Sequence, residues 1–148
     1  MEKIIKNIEY LLVEDNPNDA ELFLRALKKI INTDNLLLLE DGEAALNFLT
    51  ENETSTIKAQ NKQIKAIFLD LKLPKVNGLE ILKIIKSDIV MQKIPVIVFT
   101  SSQEDFDIKT AYELGVNSYV VKPMEYKKFT DTITSLGNYW INLNETSV

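Results

Sequence analysis

The residues of this chain best suited to chemistry are acids, a hydroxyl and an amine, and each stands at the end of an apolar run. Glu14 and Asp15 follow YLLV, Asp70 follows AIFL, Thr100 ends VIVFT, and Lys122 follows SYVV. Clustered carboxylates suit Mg²⁺, which often shares its coordination shell with a phosphate. Asp70 would be either a third metal ligand or a nucleophile that forms an aspartyl phosphate. Lys122 and Thr100 would then donate to the phosphoryl oxygens.

The composition excludes several other kinds of site. The 148 residues include no Cys and no His. Disulfides, thiolate catalysis, a Ser-His-Asp site, His-ligated zinc and a phosphohistidine on this chain are therefore excluded. The net charge of −5 argues against nucleic acid as a direct partner, because nucleic-acid binding relies on Lys and Arg. No apolar run approaches the roughly 20 residues of a membrane span, and the N-terminus lacks a signal-peptide pattern, so we expect a cytoplasmic protein that does not contact the membrane.

Short apolar runs alternate with amphipathic stretches along the chain. The runs that predict strands are 8–13, 35–40, 66–70, 95–102 and 118–121. The stretches that predict helices are 17–31, 41–49, 78–87, 106–114 and 125–141, with Asn16 as a cap and Pro17 at the first helical position. We therefore predict an α/β fold in a single domain, 1–148, with a five-stranded parallel sheet doubly wound with five helices. The stretch 50–63 is polar without a clear period, and a short polar tail begins at about residue 142.

The residues suited to chemistry should meet at one edge of this sheet. In open parallel sheets, sites form beyond the carboxyl ends of the strands, and four of the five predicted strand ends carry these residues. Each residue alone has an ordinary explanation: a turn for the acid pair, a cap for Asp70, strand packing for Thr100, and a solvated charge for Lys122. Their agreement on one edge favours a site.

The chain resembles the receiver domain of two-component response regulators over nearly its whole length. The matching motifs are LLVEDN, FLDLKLPKVNGLEIL, PVIVFTSS and YVVKP. A narrower resemblance is to the stand-alone regulators that partner bacterial phytochrome-type kinases. It rests on the polar stretch before the third strand, on GVNSYVVKPMEYKKF and on LGNYWINLNE. The resemblance implies a flavodoxin-like receiver fold with strand order 2-1-3-4-5, and no effector domain is expected.

The resemblance also implies how the acids act. Asp70 would be the phosphoacceptor. Asp15, Asp70 and the backbone carbonyl of Lys72 would ligate Mg²⁺ directly, and Glu14 would act through water. Lys72 is itself a departure, because relatives often carry Asn or another small polar residue there. It would either alter the lifetime of the phosphoryl group or point to solvent.

The remaining implied roles belong to the strand ends that follow. Lys122 would pair with the phosphoryl group, and the Lys122–Pro123 peptide bond would be cis. Thr100 would move toward the phosphoryl group and Tyr119 would turn inward with it, which together form a switch. Asn77, where many receivers have Asp, would matter only to the turn before the third helix.

The implied function is that of a signalling phosphoacceptor, not an enzyme beyond its own phosphoryl transfer and autodephosphorylation. A sensor histidine kinase, of phytochrome type by the narrower resemblance, would donate the phosphoryl group. The output would be a protein contact through the fourth helix, fifth strand and fifth helix, with a downstream phosphotransfer protein or a second copy; a symmetric homodimer is the default. Aromatic residues in this region are Tyr112, Tyr119, Tyr139 and Trp140, and we expect core packing to explain at least half of them.

Three other functions fit the residues less well. A Mg²⁺-dependent phosphatase or phosphotransferase would typically carry an acid two residues after its nucleophile, where this chain has Lys72, and would need a cap domain. A flavin carrier would need a loop rich in Ser, Thr and Gly after the first strand, whereas this chain has EDNPNDAE. A degenerate receiver would lack part of the set of acids, Thr100 and Lys122, which is intact here.

Overall fold

The computed structural model describes residues 7–50 and 64–147. The strands are β1 (Tyr10–Val13), β2 (Leu36–Leu39), β3 (Ala66–Leu69), β4 (Val96–Thr100) and β5 (Ser118–Val121). The helices are α1 (Pro17–Lys28), α2 (Gly42–Thr50), α3 (Gly78–Ser87), α4 (Asp105–Glu113) and α5 (Tyr126–Gly137). All strand pairs are parallel and the order is β2-β1-β3-β4-β5. The predicted five-stranded α/β fold with order 2-1-3-4-5 is confirmed.

The two faces of the sheet carry separate cores, because side chains alternate between the faces along each strand. One face packs against α2, α3 and α4 and includes Leu11, Val13 and Leu69. The opposite face packs against α1 and α5 and includes Leu12 and Phe68. Burial on both faces explains why the central strands are continuous apolar runs.

Two asparagines fix the starts of helices that flank the sheet edge. Asn16 Oδ1 accepts hydrogen bonds from the backbone N–H of Asn18 (2.9 Å) and Asp19 (3.1 Å), which confirms the predicted cap of α1. Asn77 Oδ1 accepts from Leu79 N–H at 2.7 Å and caps α3. Asn caps a helix about as well as Asp, so Asn77 still caps α3 although many receivers have Asp at this position.

Several element boundaries differ from the predicted ones, most of them by one or two residues. Strand β1 begins at Tyr10 instead of residue 8. Helix α1 ends at Lys28, because a short 3₁₀ turn, Thr33–Asn35, follows closely. Asn32 caps that turn, and its Oδ1 accepts a hydrogen bond from Asp34 N–H. The last helix is α-helical only to Gly137 and continues as a π-helical turn, Asn138–Leu143, so the irregular tail begins at Asn144.

Most of the polar stretch 50–63 lies outside the described residues. Within 7–50 and 64–147, no helix has the length and apolar character that crossing a membrane requires.

Candidate functional site

Strand register brings two acids of the site side by side. Val13 is the partner of Leu69 in the β1–β3 pair, so Glu14 and Asp70 both emerge one residue beyond the same level of the sheet. The ladder continues past the strands, because Asp70 N–H donates to Val13 O and Glu14 N–H donates to Leu39 O, each at 3.0 Å. The backbone around both carboxylates is therefore fixed by the sheet.

The other two strand ends arrive at the same edge. Leu69 is the partner of Val98, so β4 extends two residues further and ends at Thr100. Thr100 in turn pairs with Val121, and Lys122 N–H donates to Thr100 O at 2.7 Å. The predicted convergence of Glu14, Asp70, Thr100 and Lys122 is thus a consequence of parallel register.

Lys122 is the centre of the cluster. Its Nζ lies 2.8 Å from Glu14 Oε1, 2.9 Å from Asp19 Oδ2 and 3.1 Å from Asp70 Oδ2. The Lys122 side chain is only 8% exposed, so these are buried charge-assisted hydrogen bonds. The sequence alone did not indicate a role for Asp19. The only sign of one is that Asp19 lies in the first turn of α1, directly after the end of β1.

The charges of the cluster perturb one another. Burial, together with the negative charge of Asp70, raises the pKa of Glu14 to about 7, although the hydrogen bond and charge of Lys122 oppose this rise. Burial by itself would lower the pKa of Lys122, but hydrogen bonds to Asp19 and Glu14 and the charge of Asp70 outweigh it and raise that pKa. The ammonium therefore stays charged and the acids around it remain crowded.

Asp70 is held at both carboxylate oxygens. Oδ1 accepts from Lys72 N–H at 3.2 Å, and Oδ2 faces the Lys122 ammonium. The side chain is buried. Behind it, a Cβ at Gly78 would lie 2.4 Å from Asp70 O and 2.6 Å from Leu71 Cα, so only Gly allows the start of α3 to approach the backbone of Asp70 this closely.

The acids fit a divalent cation. Glu14, Asp15 and Asp70 each offer an oxygen, and the three oxygens lie within 4.8 Å of one another. With Asp19 they make four carboxyl groups close to the ammonium of Lys122. Asp15 is exposed and leaves access from solvent. All donors are hard oxygens, the ligands that Mg²⁺ prefers.

The proposed switch residues are linked by Ser102. Thr100 is fully buried, and its Oγ1 accepts a hydrogen bond from Ser102 N–H at 3.4 Å. Tyr119 is partly buried against the core, and its hydroxyl donates to Ser102 O at 3.0 Å. Both side chains therefore contact the loop that leads from β4 into α4.

The predicted cis Lys122–Pro123 bond is wrong for this structure. None of the peptide bonds in the described residues is cis. The trans isomer is the more stable one for X–Pro bonds, and the Lys122 ammonium reaches all three carboxylates without the cis form.

The aromatic residues near α4, β5 and α5 divide evenly. Tyr119 and Trp140 pack against the two cores, whereas Tyr112 and Tyr139 are 53% and 49% exposed. The rings of Tyr139 and Trp140 are perpendicular, with centroids 4.9 Å apart. Core packing therefore explains half of this set, as expected.

Comparisons with known proteins agree with the geometry. The family model of the response regulator receiver domain matches residues 10–134. The probable methanogenesis regulatory protein FilR2 of Methanothrix harundinacea is 38% identical, over 90% of this chain and 84% of its own length. The response regulator Rcp1 of Synechocystis is 34% identical, over 88% of this chain and 87% of its own.

Solved structures give the same result. The Mn²⁺-bound form of Rcp1 has a TM-score of 0.84 at 31% identity and covers 95% of this chain and 99% of its own. The phosphorylated cyanobacterial phytochrome response regulator RcpA has a TM-score of 0.83 at 30% identity, over 96% of this chain and 99% of its own. The chain belongs to the response regulator receiver domain family.

Proposed function

We propose that this receiver accepts a phosphoryl group on Asp70 from a partner histidine kinase, with Mg²⁺ bound by the neighbouring acids. The observation that carries the proposal is the contact of one buried ammonium, Lys122, with both Asp70 and Glu14. Such a cation can neutralise a phosphoryl group on Asp70 without entering from solvent. The relatives support the choice, because one is described as phosphorylated and another as bound to Mn²⁺.

The transfer is a displacement at phosphorus. A carboxylate oxygen of Asp70 attacks the phosphorus of a phosphohistidine on the kinase, the O–P bond forms as the P–N bond breaks, and the imidazole leaves as the neutral histidine side chain after protonation. Lys122 exchanges its bond with Asp70 for bonds to the phosphoryl oxygens. The Thr100 hydroxyl donates to another of those oxygens after leaving Ser102 N–H.

A divalent ion would neutralise charge on the phosphoryl oxygens when bound. Asp15 and Asp70, with the carbonyl of Lys72, would hold it directly, and Glu14 would do so through water. The proximity of Glu14, Asp15 and Asp70 supports this assignment. The same acids, without the ion, would repel an incoming phosphate.

A surface cleft lies at the Lys122 edge of the site. A cleft of about 400 Å³ opens beside Lys122 and is lined on one side by Asp19 and on another by Pro123, Met124 and Tyr126. Met124 is fully exposed and Tyr126 is 60% exposed. The likeness to Rcp1 and to the phytochrome response regulator RcpA supports a phytochrome-type kinase as the donor, acting in the cytoplasm.

The output would be a protein contact through α4, β5 and α5. Exposed Phe106 and Tyr112 on α4 support this surface. Tyr119 on β5 connects it to Ser102 and so to the site. The contact would be with a downstream phosphotransfer protein or with a second copy in a homodimer.

Intact mass spectrometry tests the central step. Incubation with acetyl phosphate and Mg²⁺ should add the mass of one phosphoryl group. D70N should add none while its circular dichroism spectrum stays unchanged. D34N, in an exposed 3₁₀ turn, is the matched control and should be labelled like the wild type. Unchanged wild-type mass with a competent donor would refute the function, and labelling of D70N would move the acceptor elsewhere.

A further inference from the structure

Lys72 has a specific partner. The residue stands two positions after Asp70, and its Nζ lies 3.6 Å from Asp107 Oδ2, in the first turn of α4. The Lys72 side chain is 60% exposed, whereas that of Asp107 is only 14% exposed. The cation therefore lies at the rim of the site, directed toward a nearly buried carboxylate.

Asp107 also connects α4 to the loop after β4. Ser102 Oγ–H donates to the same oxygen, Asp107 Oδ2, at 2.6 Å. That Oγ accepts from Glu104 N–H at 3.3 Å, and Ser102 N–H donates to Thr100 Oγ1 at 3.4 Å. One carboxylate thus joins the first turn of α4, the loop that contains Ser102 and, through Lys72, the loop after the acceptor.

The acceptor lies next to this network. Lys72 N–H donates to Asp70 Oδ1 at 3.2 Å, so the backbone of Lys72 contacts Asp70 while its side chain contacts Asp107. Burial raises the pKa of the Tyr119 hydroxyl, and the charges of Asp107 and Asp70 raise it further against the hydrogen bond to Ser102. Both carboxylates therefore lie close enough to act on the same hydroxyl.

Helix capping explains only part of the arrangement. The side chain of Glu104, the residue before α4, makes no capping hydrogen bond. Ser102 Oγ instead accepts a hydrogen bond from Glu104 N–H. An acid in the first turn also suits the helix dipole. Neither effect requires a cation from the loop after β3, so the Lys72–Asp107 pair needs a separate explanation.

We propose that Asp107 is a positioning residue for the reaction at Asp70: it holds the Lys72 ammonium at the rim of the site and yields it to the phosphoryl group once Asp70 is modified. The phosphoryl group carries close to two negative charges against one on Asp107 and offers three oxygens, so Lys72 would join Lys122 and a divalent ion around it. When Asp107 loses its contact with Lys72, the first turn of α4 becomes less stable. The proposal rests on the proposed function, since it needs phosphorylation of Asp70.

Amide hydrogen exchange tests this directly. The reporters are Ile108 N–H, which makes the first backbone bond of α4 to Glu104 O at 3.1 Å, and Glu104 N–H. Exchange at these amides should become about threefold faster when the wild type is held phosphorylated by acetyl phosphate and Mg²⁺, as expected for loss of a partly exposed ion pair. K72Q, which keeps its backbone carbonyl, and D107N should show this faster exchange without phosphorylation and no further increase with it.

Two matched controls and one rescue separate positioning from mere structure. K75Q removes a cation of the same loop that pairs with Asp41 and Glu43, and D105N removes an exposed acid from the same turn of α4. Both should keep the response to phosphorylation, and K75Q should also exchange like the wild type without it. K72R keeps the charge and should restore the slow exchange and its response to phosphorylation.

Intact mass, recorded on the same samples, assigns any failure. A mass that does not rise would overturn the proposed function and this proposal with it. A risen mass with unchanged exchange at Glu104 and Ile108 would overturn the role of Asp107 alone, as would K72Q or D107N behaving like K75Q and D105N, or K72R behaving like K72Q.

Discussion

Lys122 Nζ lies 3.1 Å from Asp70 Oδ2, although the two residues are 52 positions apart in the chain. The acceptor carboxylate is thus already paired with a buried cation before any phosphoryl group arrives. Phosphorylation would replace one anion beside Lys122 by a more highly charged one. The ammonium would keep a partner throughout, which avoids the cost of an unpaired buried charge.

Removing this ammonium should destabilise the metal-free protein. K122M leaves Glu14 and Asp70 buried without their cation, and breaking such a pair typically costs about 3–5 kcal/mol. Urea unfolding in the presence of a chelator should show a loss of this order. K128M, at an exposed position of α5, is the control and should unfold like the wild type. Equal stability of K122M and K128M would mean that the buried contacts contribute nothing.

Divalent cations should stabilise the fold through Asp15. Binding to the native state alone adds about 2.7 kcal/mol when the free ion is at a hundred times its dissociation constant. Mg²⁺ should therefore raise the thermal unfolding midpoint of the wild type, and removal by a chelator should reverse the rise.

The D15N variant should lose most of this rise. E21Q, which removes an exposed acid from α1, should keep it. If D15N and E21Q responded to Mg²⁺ alike, Asp15 would not be a metal ligand.

Gly78 should tolerate no side chain. Ala is a better helix former than Gly by up to about 1 kcal/mol, but its Cβ would lie 2.4 Å from Asp70 O. The clash should prevail, so G78A should lower the free energy of unfolding by about 1–3 kcal/mol and slow phosphorylation by acetyl phosphate. E80A, in the first turn of the same helix, is the comparison. A G78A variant as stable and as reactive as E80A would show that the backbone of Asp70 has room to move.

Phosphorylation should change the assembly if the output is a homodimer. Size-exclusion chromatography with light scattering should show a larger mass after treatment with acetyl phosphate and Mg²⁺. Y112S should abolish the shift, because the Tyr112 side chain is exposed on α4 and belongs to the proposed surface. I89S, at an exposed position after α3, should keep it. A shift that persists in Y112S but disappears in I89S would place the interface elsewhere.

The alternation of apolar runs was sufficient to predict a five-stranded parallel α/β fold, whereas the strand order was implied by the resemblance. The central strands of the sheet are apolar on both faces, so the carboxyl end of each is marked by the first acid or hydroxyl. Parallel register then places Glu14 beside Asp70 and Lys122 beside Thr100. Convergence of the site thus follows from the sequence once the sheet is recognised.

Contacts made by long side chains were not predictable in this way. Asp19 lies in the first turn of α1. Its carboxylate reaches Lys122 only because that helix starts over the end of the strand. Likewise, Lys72 was expected either to affect the phosphoryl group or to point to solvent, and its pairing with Asp107 depends on where α4 packs. A Cβ at Gly137 would lie 2.6 Å from Leu27 Cδ2, so the close approach of α5 to α1 also depends on packing.

Chemical identification of the modified residue shows directly whether Asp70 is the acceptor. Borohydride reduces an aspartyl phosphate to homoserine, so the acceptor can be read from peptide masses after reaction with a phosphorylated histidine kinase or acetyl phosphate. We expect homoserine at position 70 and none in D70N. Homoserine at position 15 or 19, or no homoserine in a protein whose mass shows a phosphoryl group, would contradict it.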